Sequence, residues 1–224
     1  MNEYHKLDNP VWHSLSEIHK DLSIDHGNIR FYHPDYCPFG GFTQMENITG
    51  SISDYSKLVD NFFIVGEKPP LPGALQMKNE LVCLQMICGH TIDLSPQNII
   101  VELGEEHREE LFRLVNLVQP GYFMAKTGSM GSYYGIFAGN ELVAVTGERM
   151  KMNEYTEVSA VVTHPDHTGK GYAKQLVAHT VNNIFTAGKI PYLHVSEVNH
   201  GAIELYIKLG FEMRRRISFW NIVS

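Results

Sequence analysis

Apolar and polar positions change period several times along the chain, and each change marks an element. Val11, Leu15, Ile18 and Leu22 recur at helical spacing, so residues 10–22 are expected to form a helix with Asn9 as its N-cap. Residues 31–42, rich in glycine, proline and aromatics, read as strand and loop. Residues 62–65 and 81–87 read as strands, joined by a proline-rich connection at 68–73. Ser95-Pro96-Gln97 gathers turn residues between two apolar segments, which places a boundary there. A strand at 99–103 and a helix at 106–118 follow; Leu111, Leu114, Val115 and Val118 share one face of that helix, and Pro120 and Gly121 end it. Strands at 133–138 and 142–150 flank Gly139-Asn140, a two-residue hairpin signal. A third antiparallel strand at 155–163 runs into a turn containing Gly169 and Gly171.

After that turn, Leu176, Val177, Val181, Ile184 and Phe185 give one apolar helical face, and Gly188 suits its C-terminal cap. Residues 192–196 read as the next strand. Ala202, Leu205, Tyr206 and Leu209 then recur at helical spacing, with Asn199 suited to the N-cap and Gly210 to a left-handed stop. The last segment, 211–222, is long enough to close a sheet. The order of elements predicts an α+β protein. A small α+β N-terminal domain would span 1–97, and a mixed, mostly antiparallel central sheet flanked by helices would fill 98–224.

Composition narrows the function classes. The 224 residues are 43% hydrophobic, enough for one large domain or two small ones. A net charge of −7 argues against a nucleic-acid-binding surface, and the one basic cluster, Arg214 to Arg216, reads as a solvated strand end. No apolar run reaches membrane-spanning length, and residues 1–6 lack the basic-then-apolar pattern of a signal peptide. Three cysteines do not make a disulfide framework, so the cytoplasm is the expected location. Cys83, Cys88 and His90 have no second ligand pair close by in sequence, and no metal is expected.

The chemistry concentrates in Thr163-His164-Pro165-Asp166-His167-Thr168-Gly169-Lys170-Gly171-Tyr172-Ala173. Strand, glycine turn and helix succeed one another there. Glycines without Cβ let backbone N–H groups approach a ligand beside the positive end of a helix, which suits phosphate or pyrophosphate. The phosphate-loop pattern of nucleotide triphosphatases, Gly-x4-Gly-Lys-Ser/Thr, is absent: Gly169-Lys170 is followed by Gly171, and Tyr172 is not placed for the Ser/Thr role.

Together with Asn199-His200-Gly201-Ala202-Ile203-Glu204-Leu205-Tyr206-Ile207-Lys208-Leu209-Gly210-Phe211, this turn resembles the GNAT superfamily of acyl-CoA-dependent N-acyltransferases. The match covers roughly the C-terminal half and looks closest to the glycine-N-acyltransferase-like subgroup. Thr168 stands where the family usually has Arg or Gln, which removes one side-chain contact to the pyrophosphate and leaves the backbone cradle.

The resemblance implies a GNAT fold, acetyl-CoA as acyl donor and a primary amine of a small molecule or an exposed α-amine as acceptor, with direct transfer between them. It places the pantetheine arm against Val161, Val162 and Thr163, and the pyrophosphate against Thr168, Gly169, Lys170, Gly171, Tyr172, Ala173 and Lys174. Asn199 would also touch CoA, and Tyr206 would be the general acid that protonates the departing thiolate. For the base, His194 on the strand before Asn199 has a suitable ordinary pKa, and Glu157 lies on the neighbouring strand, where some family members place a catalytic Glu. The competing reading is an acyl-CoA sensor or a catalytically inactive partner module. The acceptor is expected between the N-terminal unit, residues 121–131 and the sheet, with Tyr122, Phe123, Tyr133 and Tyr134 as candidate lining.

Overall fold

A single sheet runs through residues 4–224, the part of the chain that the computed structural model describes; Met1 to Glu3, at the start of the stretch read for a signal peptide, lie outside the described residues. Its strands are β1 (Ser23–Asp25), β2 (Ile29–Tyr32), β3 (Phe39–Phe42), β4 (Asn61–Val65), β5 (Gln76–Cys88), β6 (Val101–Glu102), β7 (Tyr133–Ala138), β8 (Glu141–Lys151), β9 (Tyr155–Thr163), β10 (Ile190–Ser196) and β11 (Phe211–Val223). They lie in the order β1-β2-β3-β4-β11-β5-β10-β9-β8-β7-β6. Only β3–β4 and β9–β10 pair in parallel. The helices are α1 (Pro10–Ser16), α2 (Ile48–Ser56), α3 (Arg108–Val118), α4 (Tyr172–Thr186) and α5 (His200–Lys208). This is the mixed, mostly antiparallel sheet flanked by helices that the pattern predicted.

The strand order changes the meaning of the expected boundary. Residues 95–97 do form an irregular connection, between β5 and β6, yet β5 lies between β10 and β11 in the middle of the sheet. The first 97 residues and the rest therefore share one hydrogen-bonded ladder. The last strand does not close the sheet at an edge either; β11 is interior, paired with β5 on one side and β4 on the other.

Three local differences have physical causes. The helix expected over 10–22 stops at Ser16, because the chain turns to bury His19, which bonds Ser14, Tyr32 and the Met130 carbonyl, while Ile18 is left exposed. The strand expected at 99–103 shrinks to Val101–Glu102, an edge pairing with β7 alone. Gln175 Oε1 holds the Gln97 and Asn98 amides just before it, at 2.7 and 3.0 Å. Helix α2 was not foreseen: its glycine, serines and β-branched residues are weak helix formers. Burial of Ile48, Ile52 and Tyr55 on one face holds it.

Helix α3 packs Leu111, Leu114 and Val115 against Val145 and Val162. Helix α4 packs Val177, Val181 and Ile184 against Val158 and Leu193. Each such aliphatic side chain contributes about 1.5–3 kcal/mol when fully buried. Val158 and Val162, four apart on β9, thus serve different clusters, although strict alternation would put them on one face. A register shift between the Val145 and Gly147 pairings, with Ala160 at φ 51°, marks a bulge that reverses the facing.

Candidate active site

The parallel pairing of β9 and β10 is short. It runs Ile190↔Tyr155, Pro191↔Thr156 and Tyr192↔Glu157, then stops, and from Val158 onward β9 has no strand partner on its β10 side. On its other side β9 continues to pair with β8 as far as Thr163. Two strands that begin together and part leave a wedge with unpaired backbone groups along one wall, the kind of edge to which an extended amide-bearing chain can add.

A cavity of about 300 Å³ occupies the wedge. Val158 to Val161 of β9 form one wall; His194 to Ser196 of β10, with Asn199, Ala202 and Tyr206, form the other. Beyond it along β9 lies a second hollow, lined by Thr163, His167 to Lys174 and Leu205. The two hollows share β9 and α5, so they form one track from the sheet to the N-terminus of α4. Most of the candidate CoA residues lie along this track; Val162 instead faces inward to the α3 cluster.

The glycine turn has the geometry its sequence implied. A 3-10 turn at Pro165–His167 is followed by Gly169 and Gly171 at φ +76° and +74°, with Gly171 as the N-cap of α4. A Cβ built on either would meet no protein atom within 4 Å, so both face open space in the hollow. Thr168 spends its hydroxyl on the Pro165 carbonyl, at 3.2 Å, and Lys170 Nζ lies 3.1 Å from His167 Nδ1.

On α5, Asn199 accepts the Ala202 amide at 3.2 Å, the N-cap expected of it. Gly210 ends the helix at φ +88° with the His90 ring packed where a Cβ would stand. Tyr206 lies against Phe211 in the core while it lines the cavity. Among the described residues its hydroxyl has no hydrogen-bond partner, and burial pushes its phenol well above the ordinary tyrosine range. It is therefore a protonated donor with nothing yet to donate to.

His194 and Glu157 are brought together, with Nδ1 and Oε1 2.8 Å apart and both side chains buried. Glu157 also accepts two bonds from Arg149, Nε at 2.8 Å and Nη2 at 3.0 Å. Burial works to raise the Glu157 pKa, but the Arg149 charge and the bonds from His194 and Arg149 outweigh it and hold the carboxyl at about 2. A carboxylate that acidic is a poor acceptor of an amine proton. The other ring nitrogen of His194 is occupied too: Gln85 Nε2 donates to it at 3.0 Å. Gln85 in turn donates to the Leu7 carbonyl at 2.8 Å and accepts from Arg214 at 2.8 Å. In this arrangement neither candidate base offers a free lone pair to the cavity.

Arg149, Phe39, Leu81 and Phe219 line the cavity without having been singled out in the sequence, and Cys83, weighed there only as a metal ligand, lines it too. Arg149 carried a signal, a charge inside the apolar run 142–150. The others read as ordinary strand residues. Of the aromatics proposed as acceptor lining, Tyr122 is in place, Phe123 lines a small adjoining hollow with Tyr122, Arg149, Ser159 and Ala160, and Tyr133 and Tyr134 are buried away from the cavity. Cys37, Cys83 and Cys88 are buried free thiols, and among the described residues no group of three or more His, Cys, Asp and Glu is placed to hold a metal ion.

A structure from Novosphingobium aromaticivorans DSM 12444, assigned to the GNAT family of acetyltransferases, matches this one with a TM-score of 0.87 and 30% sequence identity, over 98% of this chain and 99% of that one. This chain belongs to the GNAT family. Residues 133–220 also match the family described as FR47-like protein. A GCN5-related N-acetyltransferase from Kribbella flavida shares the fold at a TM-score of 0.65 and 14% identity, over 100% of this chain and 96% of that one. A GCN5-related N-acetyltransferase-like protein from Streptococcus suis 89/1591 does so at 0.62 and 12%, over 98% and 94%. No curated protein matches the sequence. The narrower resemblance to the glycine-N-acyltransferase-like subgroup finds no support among these GNAT relatives. Among the described residues no helix is long and apolar enough to cross a membrane.

Proposed function

We propose that this GNAT protein is an acyl-CoA-dependent N-acyltransferase that moves an acyl group, acetyl in the first instance, directly from CoA to a primary amine of a small molecule or an exposed α-amine. The observation that carries this reading is the track itself. The parting of β9 and β10 after Glu157 and Tyr192 leads to the turn at Gly169–Gly171, with the unpartnered Tyr206 hydroxyl beside the parting.

In this reading the pyrophosphate lies against backbone N–H groups at the N-terminus of α4, where the helix dipole favours anions. The pantetheine amides pair with the free edge of β9 from Val161 to Thr163. The thioester reaches the cavity next to Tyr206. A neutral amine attacks the carbonyl carbon, the C–S bond breaks from the tetrahedral intermediate, and the departing thiolate takes the Tyr206 proton. The acceptor amine loses its proton to solvent in the open cavity. His194 and Glu157 hold the site's charges in place, a change from the base role read from sequence.

The test is a coupled measurement. CoA binding by calorimetry examines the donor site, and release of free CoA thiol from acetyl-CoA across an amine panel examines the transfer. CoA binding without turnover on any amine would favour the sensor reading, and absence of CoA binding would remove both.

A further inference from the structure

The acceptor end of the cavity has an unusual charge pattern. Among the described residues its lining holds one cation, Arg149, and no carboxylate side chain. Arg149 is held by two neighbours, Glu157 and Phe39. Its Nε and Nη2 edge is bonded to Glu157, and the Phe39 ring covers its guanidinium at 4.7 Å. His194, bonded to the same carboxylate, backs the pair from β10. The remaining nitrogen, Nη1, has no hydrogen-bond partner among the described residues and is not sealed from solvent. Guanidinium presents two forks, and only the one along Nε is used; the end-on fork of Nη1 and Nη2 is open and held still.

An open, rigid guanidinium fork matches a carboxylate. The walls around it are apolar: Phe39, Leu81, Cys83, Tyr122 and Phe219. A simple alkylammonium would enter beside Arg149 with no free anion to meet it, because Glu157 is already committed. An amine that carries its own carboxylate enters with its charges balanced. Building on the transferase reading, we infer that the acceptor is an α-amino acid with an apolar side chain, its carboxylate on the end-on edge of Arg149 and its side chain against Phe39 and Phe219. Arg149 is then a substrate-binding residue, and Glu157 and His194 are positioning residues for it.

The experiment compares matched amines with and without the carboxylate: phenylalanine against phenethylamine, and leucine against isopentylamine, with acetyl-CoA as donor. Binding of the four N-acetyl products to the CoA-loaded protein is measured by calorimetry, so the result does not depend on turnover. The expected result is a preference of about ten- to a hundredfold for the carboxylate member of each pair, the size of one charged hydrogen-bonding interaction. Arg149→Lys, which keeps the charge and loses the fork, is expected to erase most of that preference, with CoA affinity read on the same sample as the check that the protein is folded. Equal or better binding of the carboxylate-free members overturns the inference, as does failure of both N-acetyl acids to bind a protein that binds CoA. A protein that does not bind CoA takes down the transferase reading first and this inference with it.

Discussion

His194 Nδ1 lies 2.8 Å from Glu157 Oε1, although the two residues are 37 positions apart and sit on strands that separate immediately beyond them. The contact stands at the root of the wedge. It joins the two strands at the last point where they touch, and it ties the cavity to Arg149 on β8 and Gln85 on β5. Four neighbouring strands thus each contribute one polar side chain at the same level, linked in one hydrogen-bonded chain.

Replacing Glu157 by Gln leaves Arg149 buried beside an uncharged partner. Breaking a buried pair typically costs about 3–5 kcal/mol, so Glu157→Gln is expected to melt well below the wild type at neutral pH. The carboxyl is held at about 2 in the fold against an ordinary 4.5, so on acidification the unfolded chain binds its proton first. The stability Glu157 supplies is thus complete above about pH 4.5 and lost as pH falls toward about 2. Melting curves of both proteins against pH check this: the gap between them should narrow steadily across that window, and a constant gap would contradict it.

Tyr206→Phe keeps the ring against Phe211 and removes only the hydroxyl. If that hydroxyl protonates the thiolate, kcat falls while acetyl-CoA binding stays nearly unchanged. A thiol of ordinary pKa near ~8.5 is a good leaving group, which puts the expected loss at the low end for general acids, about 100-fold. Steady-state kinetics on the folded variant decide it; a wild-type kcat would rule the role out.

At Gly171 the φ of +74° and the empty space around its Cβ separate two effects. Gly171→Val meets no protein atom but takes on left-handed backbone strain of about 1–2 kcal/mol, which a domain of this size should survive. Its side chain projects into the hollow at the start of α4, where the phosphates are proposed to lie. CoA affinity measured by calorimetry should fall strongly with the circular dichroism spectrum retained. Undiminished affinity would falsify the assignment of the turn.

Removing residues 1–97 deletes β5, which pairs with β10 along Tyr192–Ser196 and with β11 along nearly its whole length. Both would become long unpaired interior edges, and such edges aggregate. The fragment from Asn98 is expected to be insoluble or unfolded when expressed alone. A soluble fragment that still binds CoA would show that β5 is dispensable.

Local rules were enough for much of this molecule. Gly139, Gly188 and Gly210 stand at positive φ where the turn and cap rules placed them, and α3, α4, α5 and β7 to β11 lie close to the positions given by hydrophobic period. The strand, glycine turn and helix around Gly171 were legible for the same reason: each is set by contacts within a few residues, so its cause is written beside it in the chain. Sheet partnership has no such local cause. Nothing in the sequence from 76 to 88 says that it enters between β10 and β11, because a strand buried on both edges looks alike whichever neighbours it has. The bulge at Ala160, which turns Val162 away from the face that holds Val158, likewise depends on how β9 registers with β8. Whether His194 and Glu157 would meet could not be read either, since their separation depends on where two parallel strands stop pairing. The charge of Arg149 was visible in an apolar strand, but its open edge was not. That edge exists because Glu157 takes the Nε and Nη2 side of the guanidinium and Phe39 covers its face, two residues drawn from two other strands, while Nη1 is left without a partner among the described residues.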